Sequence, residues 1–128
     1  MIYLDSSVAL ATLFAEERVP PKDLWSQLLI SSQLFEYEIM NRVYARRLGS
    51  AHAEAARMLI GCVDLLKLQP HILVRALQPF PQPVRTLDAF HLASMEFLRR
   101  EGQALQLATY DRRLAEAAQT LGFPLAQV

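Results

Sequence analysis

The chain has 128 residues, 52% of them hydrophobic and 20% charged, with thirteen basic residues set against thirteen acidic ones. Its length and apolar fraction suit one domain, residues 1–128, around one core, and exclude a disordered chain. The single cysteine, Cys62, excludes an internal disulfide framework, and the balanced charge excludes a nucleic-acid binder that works by bulk positive charge.

The elements follow in chain order. Ile2-Tyr3-Leu4 reads as a short buried strand with no basic flank before it, so a signal peptide is not expected here. After Asp5-Ser6-Ser7, a helix runs from Val8 to about Arg18, where Pro20-Pro21 breaks it. Pro21 suits the first turn of a short helix reaching Gln27. Leu28–Ser31 is the second strand. Leu34–Leu48 is a strong helix with Gly49 in the place of a left-handed cap. Ala51–Val63 is another helix, with Ser50 as N-cap and Cys62 as a core position within it. Asp64–Leu68 is the third strand candidate, Pro70–Gln78 a weaker helix, and Pro79–Pro83 a stiff surface loop. Thr86–Glu101 is a helix ended by Gly102, and Leu105–Thr109 the fourth strand. Asp111–Leu121 is a helix ended by Gly122, with Pro124-Leu125-Ala126 as an edge strand.

Strands alternating with helices over the whole length predict an α/β fold, a parallel β-sheet sandwiched between helices in a Rossmann-like three-layer arrangement. No stretch approaches the ~18–20 uninterrupted apolar residues that span a bilayer. The expectation is a soluble cytoplasmic protein. In a parallel sheet, ligands bind outside the carboxyl ends of the strands. Four acids stand at that edge. Asp5 follows the first strand, Asp111 opens the helix after the fourth, Glu38 lies one turn into the helix after the second, and Asp88 lies in the first turn of the helix from Thr86.

Each acid has a plain structural use. Asp5 and Asp111 can cap helices, Asp88 can complement a helix dipole, and Glu38 can pair with Arg42 four residues on. Gathered at one edge, however, four carboxylates repel and raise one another's pKa. A hard divalent cation, Mg²⁺ or Mn²⁺, relieves that repulsion with the oxygen ligands it prefers. Carboxylate-held metal ions cleave phosphodiesters without a nucleophilic side chain.

The motifs around these acids resemble those of the PIN nuclease domain. They are Asp5-Ser6-Ser7-Val8 after the first strand, then Ser32…Glu38-Ile39-Met40-Asn41…Arg46, then Thr86-Leu87-Asp88-Ala89-Phe90-His91-Leu92-Ala93. The last is Leu107-Ala108-Thr109-Tyr110-Asp111-Arg112-Arg113-Leu114…Gly122. In order, spacing and length the chain resembles a small bacterial PIN protein of the VapC toxin type. The resemblance implies a PIN-like fold, a Mg²⁺- or Mn²⁺-dependent endoribonuclease, and Asp5, Glu38, Asp88 and Asp111 as acidic ligands, with Thr109 as a helper. Ser6 and Ser7 are read separately, as bonding to backbone or water near the metal, with Ser6 and Thr109 on the substrate side. The resemblance also implies a homodimer neutralised by a small antitoxin protein. Glu36 and Glu38 lie about 160° apart around a helix, so both cannot face one cation. The spacing from Glu38 to Asn41 resembles the PIN motif better than that from Glu36, so the resemblance implies Glu38.

Eleven of the thirteen bases are arginines, in knots at Arg42/Arg46/Arg47, Arg99/Arg100 and Arg112/Arg113. Arginine is the better phosphate binder because its planar fork holds two oxygens. Arg42, Arg46, Arg112 and Arg113 are therefore expected to hold RNA phosphates beside the acids. His91, three residues after Asp88, is read as a helix-core histidine, because an all-oxygen site needs no imidazole. His52 and His71 are surface or capping positions.

Two other classes remain in view. A catalytically silent PIN-like interaction module would keep the fold without the chemistry, against which stand acids at all four positions. A phosphotransfer receiver would need an Asp after the third strand, where Leu65–Pro70 has none. A haloacid-type phosphatase would need an Asp where Ser7 stands. The apolar surface of helices Leu34–Leu48 and Ala51–Val63, with Phe35, Ile39, Met40, Val43, Tyr44 and Leu48 on the first, is either the place for a partner or simply the centre of the monomer core.

Overall fold

The computed structural model describes residues 1–128. Strand β1 (Ile2–Leu4) leads into helix α1 (Ser6–Leu13), and a short 3-10 helix (Lys22–Ser26) precedes β2 (Leu29–Ser32). Helices α2 (Leu34–Ala45) and α3 (Ser50–Ile60) follow, then β3 (Asp64–Leu66) and α4 (Pro70–Ala76). Helix α5 (Thr86–Arg100), strand β4 (Gln106–Ala108) and helix α6 (Arg112–Thr120) complete the order. The sheet order is β3-β2-β1-β4, and every pairing is parallel.

Side-chain alternation along these short strands builds two apolar layers. Ile2, Leu4, Leu29 and Ala108 join Val8, Phe35, Ile39, Val43 and Ile60 on the face covered by α1, α2 and α3. Tyr3 and Leu107 turn the other way, onto Leu92, Met95 and Leu98 of α5 and Leu114, Ala117 and Ala118 of α6. The result is the expected three-layer α/β fold.

Several boundaries differ from the sequence reading, each for a local reason. Helix α1 stops at Leu13 rather than Arg18, with Ala15 left-handed at φ 49°. Beyond Phe14 the segment Glu16-Glu17-Arg18 has no apolar stripe to pack, and a helix without one gains little. Helix α2 stops at Ala45, and Arg47 takes the left-handed conformation at φ 52°. Gly49 then serves as the N-cap of α3, at φ 87° and ψ −177°, a region essentially reserved for glycine; Ser50 is already helical. Because α3 ends at Ile60, Cys62 falls in the turn beyond it and is exposed rather than core. Pro124–Ala126 makes a single bridge, Leu107 to Leu125, instead of a full edge strand. No helix is long and apolar enough to cross a membrane.

Candidate active site

Register brings the strand ends together. Leu4 pairs with Ala108, and the Asp5 amide donates to the Ala108 carbonyl at 2.9 Å, so Asp5 and Thr109 leave the sheet side by side. Helix α1 starts immediately after Asp5, whose carboxylate caps it by accepting from the Ser7 amide at 3.3 Å. The same oxygen, Oδ2, accepts from the Ser7 hydroxyl at 2.5 Å and from Thr109 Oγ1 at 2.8 Å. Ser7 Oγ in turn accepts from the Tyr110 amide, and Thr109 Oγ1 from the Asp111 amide, both at 2.9 Å. The carboxylate is thus the hub joining the end of β1 to the loop after β4.

Asp111 caps α6 by accepting from the amides of Arg113 at 2.9 Å and Leu114 at 3.3 Å. Asp88 sits in the first turn of α5, where the helix dipole favours a negative charge. Glu38 projects from the second turn of α2. All four acids, with Ser6, Ser7, Asn41, Arg42 and Arg85, line one cleft of about 670 Å³ at the carboxyl edge of the sheet. Glu36 is exposed and outside this lining, as the helical angle between it and Glu38 requires.

The remaining expected residues divide. Arg42 lines the cleft. Arg46 stacks on Phe14, 4.0 Å from the ring centroid, and stands 4.0 Å from Glu16 at the rim. Arg112 reaches Glu116 at 3.7 Å, and both Arg112 and Arg113 are exposed outside the lining. Arg85, the residue before α5, lines the cleft and belongs to none of the sequence knots. Its position could have been anticipated from its place three residues before Asp88.

His91 departs from the plain core reading. It is 1% exposed, yet its Nε2 lies 2.6 Å from Glu38 Oε1 and its Nδ1 lies 2.7 Å from the Tyr3 hydroxyl. The three-residue spacing from Asp88 carried that signal, because positions three apart share a helix face.

The electrostatics are those of a crowded acidic site. Burial raises the pKa of Asp5, and Ser7, His91 and Thr109 oppose the rise without cancelling it. Asp88 is pushed up to about 6, first by burial and then by Asp111 and Asp5. Burial works against a charge on His91, but Tyr3, Glu38 and Asp5 outweigh it and hold its pKa well above the ordinary value. No arginine or lysine forms an ion pair with Asp5, Asp88 or Asp111. Hard oxygen donors, with no arginine or lysine paired to Asp5, Asp88 or Asp111, fit a divalent cation. The nearest grouping of possible donors is Asp5, Glu38 and His91, whose ligand atoms lie within 4.8 Å of one another.

The PIN domain family model matches residues 2–119. The chain belongs to the PIN domain family. It is 37% identical to Ribonuclease VapC46 of Mycobacterium tuberculosis, over 94% of this chain and 92% of that protein. It is 32% identical to Ribonuclease VapC47 of the same organism, over 98% of this chain and 96% of that protein. Among PIN-domain proteins, then, it is of the VapC type.

Its acidic cluster has a stability consequence. The Asp88 carboxyl has a pKa of about 6 in the folded protein against 3.8 ordinarily, so folding takes up a proton between those values. Stability of the metal-free protein therefore falls as pH rises from about 4 to 6. Thermal unfolding in EDTA across that window reads the slope, which Asp88→Asn is expected to flatten. An unchanged slope in the variant would show that Asp88 is not crowded.

Proposed function

We propose that this chain is a Mg²⁺- or Mn²⁺-dependent endoribonuclease, the toxin of a toxin–antitoxin pair, acting in the cytoplasm as one domain over residues 1–128. The observation that carries the reading is the meeting of Asp5, Glu38, Asp88 and Asp111, from four separate elements, in one cleft without a cationic partner for three of them. The two VapC relatives, both named ribonucleases, support the choice of RNA.

In this reading Asp5, Glu38, Asp88 and Asp111 would hold the cation, which would supply a water of lowered pKa and stabilise the leaving oxygen of a phosphodiester. The protein's own groups do the rest. Ser7 and Thr109 keep Oδ2 of Asp5 occupied, which orients the carboxylate and leaves Oδ1 for ligation. The elevated pKa of Asp88 suits it to accept a proton near neutral pH when the site is empty, and a bound cation would hold it ionised. Arg42 and Arg85 flank the acids from α2 and from the start of α5, where their guanidinium groups would bind backbone phosphates on either side of the scissile bond. Arg46, Arg112 and Arg113 extend the basic border outward as secondary contacts.

Assembly follows the same family logic. Phe35, Ile39 and Val43 of α2 are consumed by the core, while Tyr37, Tyr44 and Leu48 stay exposed, as does Met58 of α3. A second apolar surface lies on α4, where Leu73, Val74 and Leu77 are exposed. We assign these surfaces to a homodimer and an antitoxin segment. Light scattering at tens of micromolar is expected to give a dimer, and a strictly monomeric species would remove that assignment.

Asp5→Asn is expected to lower RNA cleavage at least about a hundredfold, the upper end of what disturbing even the surroundings of a metal site costs. The fold should survive, because the amide oxygen can still accept from Ser7 and Thr109 and a like charge is removed. Cleavage should also stop in EDTA and return with Mg²⁺ or Mn²⁺. Full activity in excess chelator would refute the metal mechanism.

RNA binding by the inactive Asp5→Asn protein should weaken as salt rises. Arg42→Ala in that background should flatten the log–log slope by about one unit, as loss of a single phosphate contact does. An unaltered slope would move the RNA path away from Arg42.

A further inference from the structure

Behind Glu38 runs a hydrogen-bonded line that the metal reading does not use. The Ser32 amide donates to the Tyr3 hydroxyl at 3.1 Å, that hydroxyl meets His91 Nδ1 at 2.7 Å, and His91 Nε2 meets Glu38 Oε1 at 2.6 Å. Tyr3 is fully buried and His91 nearly so, their rings edge-on at 79°. The four residues come from β2, β1, α5 and α2, so no local turn enforces the line. An ionised carboxylate only accepts hydrogen bonds, so Nε2 carries the proton facing Glu38 whether the ring is neutral or charged. The tyrosine hydroxyl can donate to Nδ1 or accept from it, so the line holds in either state.

Both ring nitrogens are therefore occupied. His91 cannot ligate a cation without giving up its bond to Glu38, although its Nε2 lies close enough to be counted with Asp5 and Glu38 as a donor. A glutamate side chain has three rotatable bonds and would otherwise have to be ordered on binding. Engaging Oε1 from behind fixes the carboxylate and leaves Oε2, the oxygen 3.5 Å from the Ser6 hydroxyl, for the cleft. We infer that His91, anchored by Tyr3, is the positioning residue that presents Glu38 to the divalent cation and is not itself a ligand. This rests on the metal reading above. It accords with the general behaviour of metal-binding carboxylates, whose outer hydrogen-bond partners typically change affinity 10–100-fold when removed.

The two amide substitutions separate this role from packing. Glutamine can place its side-chain N–H near the position of Nε2, whereas the shorter asparagine places its amide nearer Nδ1 and loses Glu38. Calorimetric titration with Mn²⁺, with unfolding in EDTA as the control for folding, compares wild type, His91→Gln, His91→Asn, Tyr3→Phe and Glu38→Gln. His91→Asn should bind Mn²⁺ about tenfold or more weakly, His91→Gln close to wild type, and Tyr3→Phe between them. Wild-type affinity in His91→Asn, or equal losses in the Asn and Gln variants, would overturn the inference while leaving the metal site standing. If His91→Asn does not fold, Tyr3→Phe decides, since it removes one oxygen and keeps the ring: wild-type affinity there would overturn the relay. Glu38→Gln binding as tightly as wild type, or no binding by wild type, would overturn the metal reading and this inference with it.

Discussion

One buried carboxylate ties the site to the fold. Asp5 is 6% exposed at the end of an interior strand, and its Oδ2 takes hydrogen bonds from Ser7 and Thr109. A buried ionised group left without partners is strongly destabilising, while hydrogen bonds to a charged group contribute about 1.5–3 kcal/mol each. The donors here begin α1 and the loop that leads into α6. Holding Asp5 therefore also sets where two helices start, and the second of them carries Asp111 as its cap.

Placing further acids around that point opposes folding, and the fold tolerates it by distributing the charges over favourable local sites. Asp88 and Asp111 sit at helix N-termini, where orphan amides and the macrodipole favour anions. Glu38 has the His91 N–H. What remains is the cost of burying these carboxylates and, after it, their mutual repulsion, which together raise the pKa of Asp88 and Asp5. That residual cost is what a bound cation would relieve in the proposed metal site. A fully compensated cluster would have no need of one.

Tyr3 connects the two halves of this arrangement. Its ring belongs to the apolar layer under α5 and α6, and its hydroxyl lies where the layer meets the polar edge. Burying the aromatic body favours the fold, and the hydroxyl requires a partner in the interior. Ser32 and His91 meet that requirement from β2 and α5. Core packing and the hydrogen-bonded line that reaches Glu38 thus share one side chain.

The sequence by itself determined the order and type of the elements, the three-layer class and the four acids. These are encoded locally, in apolar periodicity and in acids standing immediately after strands or in first helical turns. Helical geometry allowed only one of Glu36 and Glu38 to face the site, and the resemblance to the PIN motif selected Glu38. The helix ends were not legible. Ala15 and Arg47 adopt left-handed backbones that nothing in their side chains announces, because there the chain must turn for Phe14 and α3 to reach the core. Cys62 passed for a core residue because apolar periodicity extends past Ile60, where the helix stops. The engagement of His91 with Tyr3 and Glu38 joins residues 88 and 53 positions apart. Such pairings depend on how α5 packs against the sheet beside α2, and that is decided only when the whole core closes.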